Sequence, residues 1–223
     1  MEDRTFVIEK IMKEVSQDDC EVRGRYLAEF RYEIDEFVVV MADAFMRWLA
    51  LDSAIGPDEK LGHISAFAYS AITFHILSLK LFLSGHLVAA GNLMRQVVEA
   101  MAMALLCSSS SLGVLDEFIR GHYSTQKAIV QVIKHAEKLG LKKEGLKDIQ
   151  GAQSFYHGYS HPSRFTLASH MSFESEGALY VGCSFDEGKL DQYKKEMAGR
   201  LGLARVFPNF IEAISHNLGV PLQ

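Results

Sequence analysis

Cysteine is scarce and poorly placed for cross-linking. Cys20, Cys107 and Cys183 are odd in number, far apart and never arranged as C-x-x-C. Neither a disulfide framework nor a cysteine zinc knuckle is indicated, and a reducing cytoplasm is the expected compartment. Positive charge is also in short supply. A formal net charge of −5 lacks the global field that draws proteins to nucleic acid or anionic lipid, which leaves only local basic patches for such partners. Glycine-rich phosphate loops, nucleophile elbows, acidic metal clusters and H-E-x-x-H are all missing, so no motif announces a catalyst and no cofactor or metal is expected.

Charge-free apolar runs of membrane-spanning length are missing too. Segments 61–83 and 87–107 come closest, but the first contains His63, His75 and Lys80 and the second carries Arg95 and Glu99 near mid-depth. Each such charge costs about 2.5 kcal/mol or more in lipid, so both read as buried helices and no membrane partner is expected. The N-terminal MEDRTFVIEKIMKEV interleaves acids and bases without the apolar core of a secretory signal.

What is present is a helical pattern. With 223 residues and 48% hydrophobic content, the chain can bury one sizeable core, and one domain over 1–223 is expected. Ile34, Phe37, Met41, Phe45 and Trp48 recur at steps of three or four, the period of one helix face, and AIGPDEK ends that run. Segments 61–82 and 87–106 are apolar nearly all round and predict a central antiparallel pair. Leu115 to Leu139 keeps the helical period up to Gly140, a left-handed cap position, and a further helix is expected over 143–156. Leu190, Tyr193, Met197, Leu201 and Ala204 form another face, interrupted at Pro208. Between these, Leu167, Met171 and Phe173, then Leu179, Val181, Cys183 and Phe185, alternate with polar residues about ESEG. The fold class is therefore all-α, a single-domain antiparallel bundle with one small late β-hairpin at about 167–185.

Three polar groupings interrupt this apolar background. The segment FYHGYSHPSR places Tyr156, His157, His161 and Arg164 in one turn, and His157 and His161 stand four apart, a spacing that lets two imidazoles share a metal on a helix. Gly158 and Pro162 disfavour that geometry, and with His122 as a neighbour the pair forms only an alternative small-molecule or metal site. Asn92, Arg95, Gln96 and Glu99 fall at offsets 0, 3, 4 and 7, a polar stripe on an otherwise apolar helix. If that stripe is buried it needs partners, so the turn is predicted to dock on it with His161 or Tyr156 bonded to Glu99. Lys134, Lys138, Lys142, Lys143 and Lys147 are diluted by Glu137, Glu144 and Asp148 and lack interleaved aromatics. They read as a solvated surface instead of a nucleic-acid track.

RFTLASH, Arg164 to His170, has the arginine–histidine spacing of HEPN-type ribonucleases, although Phe165 stands where that motif prefers a polar residue. On a wider scale, HLVAAGNLMRQVVEAMAMALL followed by FYHGYSHPS resembles uncharacterised bacterial helical proteins distantly related to the HEPN superfamily. The resemblance covers residues 61–163. It implies a bundle and an RNA-related or defence role without the nuclease motif; in HEPN-type ribonucleases the two residues at the spacing of Arg164 and His170 bind the scissile phosphate and assist proton transfer. From the residues themselves, the first expectation is a non-catalytic helical interaction or regulatory protein that forms a homodimer, with the RNA-directed and small-molecule or metal readings as alternatives. An enzyme, if there is one, would be ribonuclease-like or metal-dependent.

Overall fold

The computed structural model describes residues 4–175 and 178–222 and, within them, all side chains except those of 143–148. Helix α1 (Arg4–Ser16) and α2 (Cys20–Glu29) lead into the long α3 (Arg31–Ile55). Gly56 ends α3 at φ 63°, where a side chain would be strained. Asp58 then caps α4 (Glu59–Leu83) by accepting the Leu61 N–H at 2.8 Å. A tight turn through Gly85, at φ 81°, reverses the chain into α5 (Leu87–Ser108).

The α4–α5 pair is the central antiparallel hairpin that the apolar pattern predicts. Every residue from Ala100 to Ser108 is buried, so the second half of α5 is enclosed on all sides, as a helix without a polar face must be. Helices α3 and α11 (Phe207–Leu218) cover one side of the pair. On α5 also pack α6 (Val114–Ile119), α7 (Ala128–Lys134), α8 (Lys143–His157) and the six-residue α9 (Arg164–Ser169). Helix α10 (Leu190–Ala204) lies against α3 and α4. The glycine expected to cap the run from Leu115 to Leu139 is left-handed but does not cap a helix. Helix α7 ends at Lys134 with His135 as its cap, and Gly140, at φ 66°, closes the turn that follows, where the Leu141 N–H reaches back to the Ala136 carbonyl at 2.9 Å. Pro208 sits in the first turn of α11, where its missing N–H costs nothing, and so separates α11 from α10.

The expected hairpin is not formed. Leu167 belongs to α9, and among the described residues of 167–185 pairing is confined to one isolated antiparallel bridge, Met171 with Leu179. Leu167, Phe173, Leu179 and Val181 are all exposed, so the alternation has no second layer to bury against. A two-stranded ribbon without such a layer is marginal in water.

Buried apolar side chains from α2 to α7, α10 and α11 make one continuous cluster. Among the described residues α4 is long and apolar enough to cross a membrane by length and composition alone. In this fold it carries buried Ser65, His75 and Ser78 and packs along α3 and α5.

Candidate functional site

The FYHGYSHPSR segment folds as an ordered turn. Helix α8 carries Phe155, Tyr156 and His157 to its end, where the N–H groups of Gly158 and Tyr159 close on the carbonyls of Phe155 and Tyr156, both at 3.1 Å. Ser163 caps α9 reciprocally with Thr166, and its hydroxyl donates to the Gly158 carbonyl at 2.6 Å. This bond ties the end of α8 to the start of α9, so the rings between them have fixed positions.

The turn does dock on α5, but over Gly91 and Met94 and not over the polar stripe. Tyr156, Tyr159 and Met94 form a small buried cluster flanked by Val88, Ala152, Phe155 and Leu203. Both phenols extend past α5 to α10. The Tyr159 O–H donates to Glu196 Oε1 at 2.6 Å and the Tyr156 O–H to Glu196 Oε2 at 3.4 Å. Burial, reinforced at Tyr159 by the Glu196 carboxylate, pushes both hydroxyls above the ordinary phenol range, so they act as neutral donors.

Glu196 in turn pairs with Arg200 Nη1 at 2.6 Å, with 3% and 1% of the side chains exposed. Burial opposes the Arg200 charge, yet the carboxylate beside it holds its pKa above the ordinary value. The guanidinium lies 4.6 Å from the Phe82 ring centre, a cation–π contact in a dry setting. The Arg200 carbonyl accepts from His75 Nε2 at 3.0 Å, and the His75 ring stacks on Phe207. Arg200 Nε and His75 Nδ1 have no hydrogen-bond partner among the described residues.

The stripe behaves differently from expectation. Arg95 Nε pairs with Glu99 Oε1 at 2.8 Å, both side chains are about a quarter exposed, at 24% and 23%, and Gln96 is exposed while Asn92 is half-buried. Water can satisfy the unused valences there, so no unpaired buried charge demands the turn. The expected bond from Tyr156 or His161 to Glu99 is replaced by Tyr156 to Glu196. His157 and His161 are exposed and meet edge to face at 4.7 Å between ring centres. Among the described residues no third histidine, cysteine or carboxylate joins them as a metal ligand. His122 lies in the exposed turn after α6. Arg164 opens α9 and His170 caps it, both exposed, so this motif flanks a helix where a strand is expected. Lys134, Lys138 and Lys142 are exposed, and the side chains of Lys143 and Lys147 lie outside those described.

Beside the buried network runs a cleft of about 560 Å³. Its floor is Val98, Met101, Ala102 and Leu105 of α5. One wall is Ile129, Val132, Ile133, Leu141, Ile149 and Ala152, and the other is Gly199, Gly202, Leu203, Val206 and Phe210. Lys142 and Asn209, both exposed, are its polar side chains among the described residues. A Cβ at Gly199 would lie 3.4 Å from the Tyr156 hydroxyl, so the Tyr156–Glu196 bridge borders the cleft next to Gly199. Small residues on facing elements, Ala102, Ala152, Gly199 and Gly202, leave this volume unfilled. A 990 Å³ depression between α3 and the tail after α11 is instead rimmed by ion-paired Asp43, Arg47 and Glu212.

Comparison with protein-family models, with curated proteins and with solved structures returned no match. Glu196, Arg200 and His75 are the residues that sequence reasoning misses. A signal for the first two exists: they share the face of α10 that carries Tyr193, Met197 and Ala204, so two charges sit among core positions.

Proposed function

We propose that this chain is a non-catalytic binding protein of regulatory type whose cleft takes an elongated apolar molecule with an anionic head group. The observation that carries this reading is the cleft. It opens to solvent at Lys142, Gly202 and Asn209, and apolar surface gathered into such a concave, polar-rimmed groove is a common mark of a ligand site. Ligand sites typically span about 300–1,000 Å³, with mostly apolar walls and a few placed polar groups.

The lining matches that pattern. Its described residues offer no acid, nucleophile or imidazole to a bound molecule, and Lys142 stands at the rim as a cation. An aliphatic chain on Met101, Leu105, Val132 and Phe210, with a carboxylate at Lys142, satisfies both features.

The test is titration of the full-length protein with a fluorescent long-chain fatty acid, followed by competition with its unlabelled counterpart. Saturable, competed binding that weakens in Lys142→Glu supports the reading. Absence of saturable binding, or binding that Lys142→Glu leaves unchanged, overturns the amphiphile assignment.

A further inference from the structure

We propose that Asp19, His86 and Cys183 form a zinc site that fastens three distant segments of the chain together. The donors come from the α1–α2 junction, the N-terminal boundary of α5 and the segment preceding α10. Their ligating atoms all lie within 4.8 Å of one another, and each residue is partly buried. Among the described residues this is the one grouping of three such side chains around a common point.

The backbone is shaped to bring them there. Asp19 is a non-glycine residue at φ 52°, a left-handed conformation that is uncommon outside glycine. Gly85, at φ 81°, leaves room for Cys183: a Cβ at residue 85 would fall 2.9 Å from Cys183 Cβ and 3.2 Å from the Ser184 nitrogen. Any side chain at 85 would push the thiol off the α4–α5 turn.

The donor set selects the ion. One sulfur, one imidazole nitrogen and one carboxylate suit zinc, whereas magnesium and calcium take oxygen ligands. In the metal-free arrangement protons hold the same atoms together. His86 Nε2 lies 2.8 Å from Asp19 Oδ2, and Cys183 Sγ donates to Asp19 Oδ1 at 3.0 Å. A tetrahedral zinc needs donor separations of roughly 3.5 Å, a small adjustment from these contacts. Binding exchanges the thiol proton for the metal: the S–H bond breaks, one proton leaves to solvent and a Zn–S bond forms. The proton that His86 Nε2 held toward Asp19 is exchanged through solvent for one on Nδ1, so that the neutral imidazole binds through Nε2. Thiolate and carboxylate together neutralise the dication, with neutral imidazole as the third ligand and water in the fourth position. Arg23, which donates to Ser84 Oγ at 2.9 Å, remains outside the ligand set.

The experiment uses the full chain purified without a histidine tag. Elemental analysis should find one zinc per chain. Cobalt titration should give the visible bands of a tetrahedral ion together with a thiolate-to-cobalt charge-transfer band. Cys183→Ser should abolish the charge-transfer band, His86→Ala should lower metal affinity by an order of magnitude or more, and Cys20→Ser should leave both spectra intact. Should Cys183→Ser fail to fold, the wild-type protein still decides the matter, because zinc should protect one more thiol from maleimide. No cobalt–thiolate band in the folded wild type, a band that survives Cys183→Ser or disappears in Cys20→Ser, or a maleimide count unchanged by zinc would each overturn the assignment.

Discussion

The ring of Tyr159 occupies the space where a side chain at Gly91 would begin. A Cβ on residue 91 would overlap the ring and lie 2.9 Å from Tyr159 Cβ. Glycine here does not serve the helix, since Gly91 lies within α5; it serves the turn that docks on α5. Replacing helix-interior glycine by alanine normally gains about 0.5–1 kcal/mol, whereas overpacking a filled site costs roughly 1–3 kcal/mol. Gly91→Ala is therefore expected to destabilise the protein. Gly62→Ala, in α4 with nothing within 4 Å of the new Cβ, should stabilise it. Urea melts of the two variants check the pair, and a stabilised Gly91→Ala would mean that Tyr159 does not hold this position.

The Glu196–Arg200 pair should behave as a unit. Removing one charge strands the other in the core, which typically costs about 3–5 kcal/mol, while replacing both by apolar residues of similar size is often neutral or favourable. Glu196→Gln should thus be severely destabilising, and Glu196→Gln with Arg200→Met should recover much of the loss. Tyr159→Phe deletes one hydrogen bond to a charged acceptor and should cost about 1.5–3 kcal/mol. A double-mutant cycle from chemical denaturation measures the coupling; strict additivity would contradict the pairing.

The helices are legible because their apolar positions repeat over long stretches. Phe37 and Met41 are buried on α3 as their spacing predicts, and Ile34, Phe45 and Trp48 of the same face pack partly buried against the core. The 167–185 segment is misread because alternation reports only that side chains point to two sides. Here Phe185 alone of Leu167, Phe173, Leu179, Val181 and Phe185 packs on the core, and the other four stay exposed. The turn's docking on α5 is legible from its ring-bearing residues, but its polar partner is not. Glutamate four residues before arginine is the usual pattern of an exposed helix, so Glu196 and Arg200 are passed over although they share a face with Tyr193 and Met197. The more conspicuous stripe on α5 proves partly solvated. The cleft is invisible because it is defined by missing side chains at Ala102, Ala152, Gly199 and Gly202, which converge only in three dimensions.

That contrast between the two networks is itself measurable. Glu99 pairs with Arg95 one turn away while His161 faces His157 in solvent. Glu99→Gln should cost no more than about 1 kcal/mol, as expected for a partly exposed pair. Combined with His161→Ala its effect should add to within about 0.3–0.5 kcal/mol, because the two residues share no partner. A larger coupling energy would restore the direct link between the turn and the stripe.

His75 makes stability depend on pH in a defined direction. Burial lowers its pKa from 6.5 to about 3, only partly offset by the bond to the Arg200 carbonyl. The unfolded chain therefore takes up a proton below about pH 6.5 that the folded chain refuses until about pH 3. This contribution is fully present above 6.5 and declines as the pH falls through that window. The slope approaches about 1.4 kcal/mol per pH unit for one proton. His75→Gln keeps an N–H donor without the titration and should flatten the dependence by about one proton. Unfolding free energies between pH 7 and about pH 4.5 test this against linkage theory, and an unchanged slope would remove His75 from the account.

The last prediction separates a cleft made for a ligand from a packing defect. Gly202 lines the cleft, and a Cβ built there meets nothing within 4 Å, so a large side chain can enter without displacing its neighbours. If the volume is merely unfilled, Gly202→Phe should bury apolar area, stabilise the protein by about 1.5–3 kcal/mol and change nothing else. If the cleft is a binding site, the same variant should keep or raise the melting temperature while losing the fatty-acid probe. Ala102→Phe, entering from the α5 floor, should do the same by a different route. Excess ligand should raise the melting temperature of the wild type, by mass action, but not that of either variant. Stabilised variants that retain wild-type probe affinity would reduce the cleft to a defect and remove the observation on which the proposed function stands.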